Sequence, residues 1–191
     1  MLANALTLAR IPLAATFAIL VTSLGRSSHV PLPGVFLLLV IVLVEEMTDI
    51  CDGMVARMTG TSSVLGGILD PAADSLSRLT MYFSLALVGW ISIAVPFVMV
   101  ARDILVAYTR IVQALTGGRT SARVSGKFKA LVQGVGIAVI VALAVGGRWL
   151  DAGPIRVLQG VTATMIILVT CWSLFDYVHG AMPGIRALYR R

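Results

Sequence analysis

The chain is expected to fold as an all-α, polytopic integral membrane protein with six transmembrane helices. Three observations predict this. Hydrophobic residues make up 58% of the 191 residues and charged residues only 13%. Mean hydropathy is +0.95. Six mostly apolar stretches approach the roughly 20 residues that one bilayer crossing requires. A soluble core of this size cannot bury so much apolar surface, which excludes an ordinary soluble globular class.

The first stretch runs from Ala5 to Leu24. It lacks a basic leading region, and Asn4, Thr7 and Arg10 interrupt it, so a retained helix is expected rather than a removable signal peptide. Gly25 to Pro33 forms a break containing Pro31 and Pro33, and the second stretch follows from Gly34 to Arg57. Thr59 to Ser63 separates it from the third, Gly66 to Trp90, which leads directly into the fourth, Ile91 to Leu115. Gly117 to Ser125 precedes the fifth, Phe128 to Val145, and Gly146 to Pro154 precedes the sixth, Ile155 to Phe175. Short connections rich in Gly, Pro and Ser, with no repeat of fixed period, predict one membrane domain over residues 1–191.

The net charge of +6 is distributed between apolar segments, so it points to membrane topology and not to nucleic acid. With a cytoplasmic N-terminus, Arg57, Arg119, Arg123, Lys127, Lys129, Arg186, Arg190 and Arg191 lie on the cytoplasmic side. Only Arg26, Arg148 and Arg156 lie opposite, as the positive-inside rule favours. The expected location is the cytoplasmic membrane, with the end of the second span and the start of the third facing the cytoplasm. Cys51 and Cys171 stand far apart in apolar segments and are expected to be small buried hydrophobes. His29 and His179 have no ligand spacing, and Trp90, Trp149, Trp172, Tyr177 and Tyr189 sit near span ends as interfacial aromatics do.

Six of the nine acidic residues fall between Glu45 and Asp74, within or beside expected spans. An ionised carboxylate at such depth costs about 2.5–3.5 kcal/mol or more, so this cluster calls for a compensating cation. Asp49 and Asp52 are three apart on one helix, and Asp70 and Asp74 four apart on the next, so each pair shares a helical face. All-oxygen donors without His or Cys select a hard divalent ion, Mg2+ first and Mn2+ next, and close carboxylates often hold two ions. Paired ions suit phosphoryl chemistry, while Gly53, Ala56 and Gly66 allow either close ligand approach or tight helix packing.

The pattern Asp49-x2-Asp52-Gly53-x2-Ala56-Arg57-x8-Gly66-x3-Asp70-x3-Asp74 resembles the signature of the CDP-alcohol phosphotransferase family, matching eight positions in 26 residues. The resemblance implies that an acceptor hydroxyl attacks a CDP-linked lipid, CDP-diacylglycerol, and releases CMP. It implies that Asp49, Asp52 and Asp70 are metal ligands, and that Asp74 is general base and a further ligand. It also implies that Asp52, Gly53, Ala56, Arg57 and Gly66 line the CDP site. Arg57 also suits a helix-end arginine reaching to headgroups. Homodimers are common in the family, and Gly134, Gly136 and Gly160 are the residues here that hint at a contact face.

Three further segments resemble the bacterial phosphatidylglycerophosphate synthase branch of that family: Asn4 to Pro12, Ala101 to Ile104 with Arg110, and Gly126 to Gln133. They imply sn-glycerol 3-phosphate as the small polar alcohol acceptor. Its phosphate needs fixed cations, for which Arg102, Arg110, Lys127 and Lys129 are the candidates. Two departures leave inositol phosphate, inositol or serine as alternatives: Ser75 stands where that branch usually has Lys, and Glu45 and Glu46 precede Asp49. The glutamates suit either a polyol's hydroxyls or a polar face toward the first helix. A divalent-cation carrier could use the same aspartates but gives Gly53, Ala56, Arg57 and Gly66 no necessary place. A catalytically dead scaffold fits less well, because all four aspartates are present.

Overall fold

A computed structural model describes residues 2–25, 30–59, 64–116, 124–146 and 151–189, with side chains described except at 2–7, 49–59, 64–68, 145 and 189. These residues form six helices: α1 (Leu2–Leu24), α2 (Leu32–Thr59), α3 (Val64–Leu87), α4 (Ala94–Leu115), α5 (Val124–Gly146) and α6 (Ala152–Tyr189). Each expected span coincides with one helix. The helix bounds differ from the expected spans by about four residues or fewer except at the end of α6, and two of the departures have a clear physical reason.

The third and fourth spans, expected to be continuous, are separated by a turn. Gly89 has φ +76°, the left-handed conformation that glycine adopts without a Cβ penalty. Its N–H donates to the Ala86 carbonyl at 3.0 Å, and the Trp90 N–H donates to the Leu85 carbonyl at 3.0 Å. This paired closure satisfies carbonyls at the end of α3. The sixth span continues past Phe175 to Tyr189, because Tyr177 and Ala181 are buried and Gln113 of α4 donates to the Gly180 carbonyl at 3.3 Å. Leaving an apolar stretch does not end a helix whose next turns still pack.

Helix packing follows a lattice of two columns and three rows. Among the described residues α1 packs on α2 and α3, α5 on α2, α3 and α6, and α4 on α3 and α6. One ring is therefore α1, α2, α5 and α3. The other is α3, α5, α6 and α4, and the two rings share α3 and α5. Inward stripes at three- and four-residue spacing build this arrangement. On α1 the stripe is Arg10, Ala14, Phe17 and Val21; on α4 it is Met99, Arg102, Val106, Thr109 and Gln113.

The core divides by level. Phe17, Leu38, Met81, Leu85, Ile137, Ile140 and Ile166 form an apolar zone, and a polar layer lies next to it. The outside is apolar as well, with Phe36, Leu43, Ile104, Leu131, Leu168 and Phe175 exposed. Cys171, expected to be buried, is exposed on that outer surface of α6. Apolar residues face outward when the surroundings are not water, so hydrophobic character does not imply burial here. Cys51 and His29 lie outside the described residues.

Among the described residues, two segments are by themselves long and apolar enough to cross a membrane, Val124–Ala144 and Ala152–Leu188, and Leu8–Leu24 is a shorter apolar helix. The other helices carry charges on their inward stripes: Glu45 and Glu46 on α2, Asp74 and Arg78 on α3, and Arg102 with Asp103 on α4. At a rise of about 1.5 Å per residue, α6 spans about 57 Å, well over the roughly 30 Å hydrocarbon thickness of a bilayer.

Candidate active site

The polar layer holds two side-chain nodes, one in each ring. In the first, Arg78 of α3 donates from Nε to Asp74 Oδ1 at 2.8 Å, one helical turn away on the same face. Its NH1 donates to the Ala130 carbonyl of α5 at 2.7 Å, and its NH2 lies 3.1 Å from Glu46 Oε1 of α2. Arg10 of α1 completes the ring, with NH1 3.8 Å from the same Asp74 Oδ1. Both guanidinium groups are buried, so these contacts are only weakly screened by water. Glu45 lies buried beside this node.

The second node is centred on Asp103 of α4. Arg102 NH1 donates to Asp103 Oδ1 at 2.9 Å, and Lys129 Nζ of α5 donates to the same oxygen at 3.2 Å. Ser75 of α3 donates to the other oxygen, Oδ2, at 2.8 Å. Arg102 NH2 donates to Ser173 Oγ of α6 at 2.6 Å, so all four helices of this ring meet here. Consecutive residues of α3 thus serve different rings: Asp74 the first and Ser75 the second.

Toward the C-terminal end of α4, Tyr177 lies between two guanidinium groups, 5.1 Å from Arg102 and 5.6 Å from Arg110 measured to the ring centre. The Tyr177 hydroxyl also accepts from Arg110 NH2 at 3.4 Å. A Cβ on Gly126 would sit 2.9 Å from that hydroxyl, so α5 must carry glycine there to approach α6. Ser125 donates to Asp176 beside it. The Nε atoms of Arg102 and Arg110 are buried with no hydrogen-bond partner. An unsatisfied buried donor costs about 1–3 kcal/mol, so this pair favours an oxyanion.

Of the four candidate acceptor-phosphate cations, Arg102 and Lys129 meet at Asp103, and Arg110 joins Arg102 through Tyr177. Lys127 is exposed, two positions from buried Lys129 and so on another face of α5. Asp70 is partly buried on α3, one turn before Asp74. The side chains of Asp49, Asp52, Gly53, Ala56, Arg57 and Gly66 lie outside the described residues, although their backbone is helical in α2 and α3. Among the described residues no three His, Cys, Asp or Glu side chains come together to hold a metal. The donor set still suits a hard divalent ion, because every candidate on α2 and α3 offers carboxylate oxygen and both helices border the first ring.

Sequence reasoning did not single out Arg78, nor Ser75 and Ser173 as partners of the second node, and it took Tyr177 for an interfacial aromatic, whereas Tyr177 is buried between Arg102 and Arg110. Arg78 carried a usable signal: a lone arginine four residues after Asp74 shares its face. Tyr177 carried none, since an aromatic near an expected span end normally marks the interface. Gly134 and Gly136, noted for a contact face between copies, are buried within the chain. Added Cβ atoms there would collide with Glu46 and stand 2.8 Å from Ile166 respectively, whereas Gly160 faces open space.

A family model for CDP-alcohol phosphatidyltransferases matches residues 1–175. A CDP-diacylglycerol–glycerol-3-phosphate 3-phosphatidyltransferase of Yersinia pestis (strain Pestoides F) is 28% identical over 154 residues, covering 76% of this chain and 79% of the relative. A protein with the same description from Pectobacterium atrosepticum is 29% identical over 146 residues, covering 71% and 72%. The archaetidylinositol phosphate synthase of Pyrococcus horikoshii is 36% identical over 83 residues, covering 44% of each chain.

Proposed function

Since the chain belongs to the CDP-alcohol phosphatidyltransferase family, we propose that this enzyme transfers a phosphatidyl group from CDP-diacylglycerol to the hydroxyl of sn-glycerol 3-phosphate, forming phosphatidylglycerophosphate and CMP. The observation that carries this reading is the adjacency of the two nodes through Asp74 and Ser75. A hydroxyl beside Asp74 and a phosphate beside Arg102, Arg110 and Lys129 match the two ends of one small acceptor.

In the reaction the acceptor oxygen forms a bond to the phosphatidyl phosphorus, the bond from that phosphorus to CMP breaks, and CMP leaves with the electron pair. Asp74 takes the hydroxyl proton, which requires hydrogen-bond reach before any tuning of acidity. Asp52, Gly53, Ala56, Arg57 and Gly66 hold the CDP moiety. Asp49, Asp52, Asp70 and Asp74 would hold Mg2+, with Mn2+ as substitute and two ions as the fitting number. Divalent ions there supply positive charge to the pyrophosphate oxygens and the departing CMP.

All six helices cross the bilayer in this reading, with the polar layer toward the cytoplasm and the donor's acyl chains in lipid. Inward charges on α2, α3 and α4 are compatible with spanning because they are paired inside the bundle and the outer residues are apolar. A homodimer in the bilayer is the expected assembly. An inositol phosphate acceptor is the second reading, favoured by the stretch similar to the Pyrococcus synthase. CMP release by the purified chain with CDP-diacylglycerol, Mg2+ and a panel of acceptors tests both. Turnover with sn-glycerol 3-phosphate is expected, and CMP released only with inositol phosphate, or only with unphosphorylated alcohols, rejects the first reading.

A further inference from the structure

Glu46 of α2 and Asp74 of α3 are joined through one side chain, that of Arg78. It reaches from α3 to Glu46 on α2 and to the Ala130 carbonyl on α5, while its Nε holds Asp74.

We infer that Arg78 is a positioning residue for Asp74 and that Glu46, fixed in turn by Gly134, sets where Arg78 stands. The inference rests on the reading of Asp74 as the reacting carboxylate. Its ground is the distribution of contacts on that carboxylate. Arg78 Nε and Arg10 NH1 both approach Oδ1, at 2.8 and 3.8 Å. That oxygen is thus anchored by cations from two helices, α3 and α1.

A guanidinium suits this task because its planar fork addresses three acceptors on three helices at once, whereas an ammonium is a point charge without fixed directions. Glu46 accepts at NH2 and the Ala130 carbonyl at NH1, so the fork is held at both nitrogens that Asp74 does not engage. Gly134 makes the placement possible. A Cβ there would collide with Glu46 Oε1 and lie 2.6 Å from Cδ, so a larger residue makes the carboxylate shift. The chain of placement runs from Gly134 to Glu46 to Arg78 to Asp74 and crosses α5, α2 and α3.

The test uses the full-length chain in lipid nanodiscs, comparing Glu46→Gln, Gly134→Ala, Arg78→Lys, Arg78→Gln and Asp74→Asn with the unaltered protein. CDP-diacylglycerol binding counts competent sites, and kcat is expressed per site, so loss of folded protein does not register as loss of rate. Expected is a kcat reduced about tenfold in Glu46→Gln and in Gly134→Ala, with donor Kd and acceptor KM unchanged. Neither change should lower kcat further in an Arg78→Gln background, because residues that act through one another are not additive. Gly134→Ala removes no charge, so it separates placement from electrostatics, and Arg78→Lys should fail to restore the rate. Unchanged kcat per site in Glu46→Gln and Gly134→Ala, or full additivity with Arg78→Gln, overturns the inference. If Asp74→Asn alone keeps full turnover, the reading of Asp74 falls and the inference with it. If Asp74→Asn is inactive and Glu46→Gln is normal, only the positioning role falls.

Discussion

Ser75 of α3 donates its hydroxyl to Asp103 of α4 at 2.8 Å, on the carboxylate oxygen that neither Arg102 nor Lys129 occupies. This bond ties the residue next to Asp74 to the cluster of cations, so the proposed reaction centre and acceptor-phosphate site are coupled through one turn of helix.

Asp74→Asn should lower turnover by about 10²-fold or more, the usual scale for losing a positioned base. Binding of CDP-diacylglycerol should be largely retained. Single-turnover CMP release with parallel donor binding checks both, and full activity would remove Asp74 from the base role.

Asp49→Asn and Asp70→Asn should raise the Mg2+ concentration for half-maximal rate by about tenfold or more, since disturbing even an outer partner of a metal commonly costs 10–100-fold in affinity. Chelation should abolish activity in the unaltered chain, and added Mg2+ should restore it. A titration curve that does not move with either substitution would exclude these residues as ligands.

Lys129→Gln should raise the KM for a phosphorylated acceptor by about tenfold or more, because a hydrogen bond to a charged group contributes about 1.5–3 kcal/mol. The KM for CDP-diacylglycerol should stay near its original value. Lys127→Gln should have the smaller effect, since its side chain is exposed on a different face of α5. Equal effects at both positions would mean that surface charge, and not the buried node, attracts the acceptor.

Gly136→Ala should destabilise the bundle by about 1–3 kcal/mol, the usual cost of overpacking a filled core. The added Cβ would stand 2.8 Å from both Ile166 Cδ1 and the Tyr82 hydroxyl, which itself donates to the Gln133 carbonyl at 2.7 Å. A thermal unfolding midpoint lowered by several degrees in detergent is the expected readout. An unchanged midpoint would mean that α6 can move away from α5 at little cost.

The helices were legible because hydropathy and breakers act locally: Pro31 and Pro33 mark one break, and the stretch from Gly117 another. The shared face of Asp70 and Asp74 on α3 was legible because a spacing of four in a helix puts them one turn apart. The extension of α6 was not, since Asp176, Pro183 and Arg186 look like an exit from lipid while buried Tyr177 and Ala181 keep the helix packed. The lattice of helices and the two nodes were also hidden. Glu46 and Arg78 lie 32 residues apart, and only tertiary packing decides that they meet. Arg102 and Lys129 could be picked out as cations in sequence, but Asp103 as their shared partner depends on α4 meeting α5 across a ring.

Because α3 and α5 belong to both rings, a substitution on either reaches both polar nodes together. The outer pair α4 and α6 borders only one ring. Under the proposed reading, variation in which alcohol is accepted can therefore accumulate on those two helices without disturbing the nucleotide machinery, and a chimera exchanging only them is the natural unit for retargeting the enzyme.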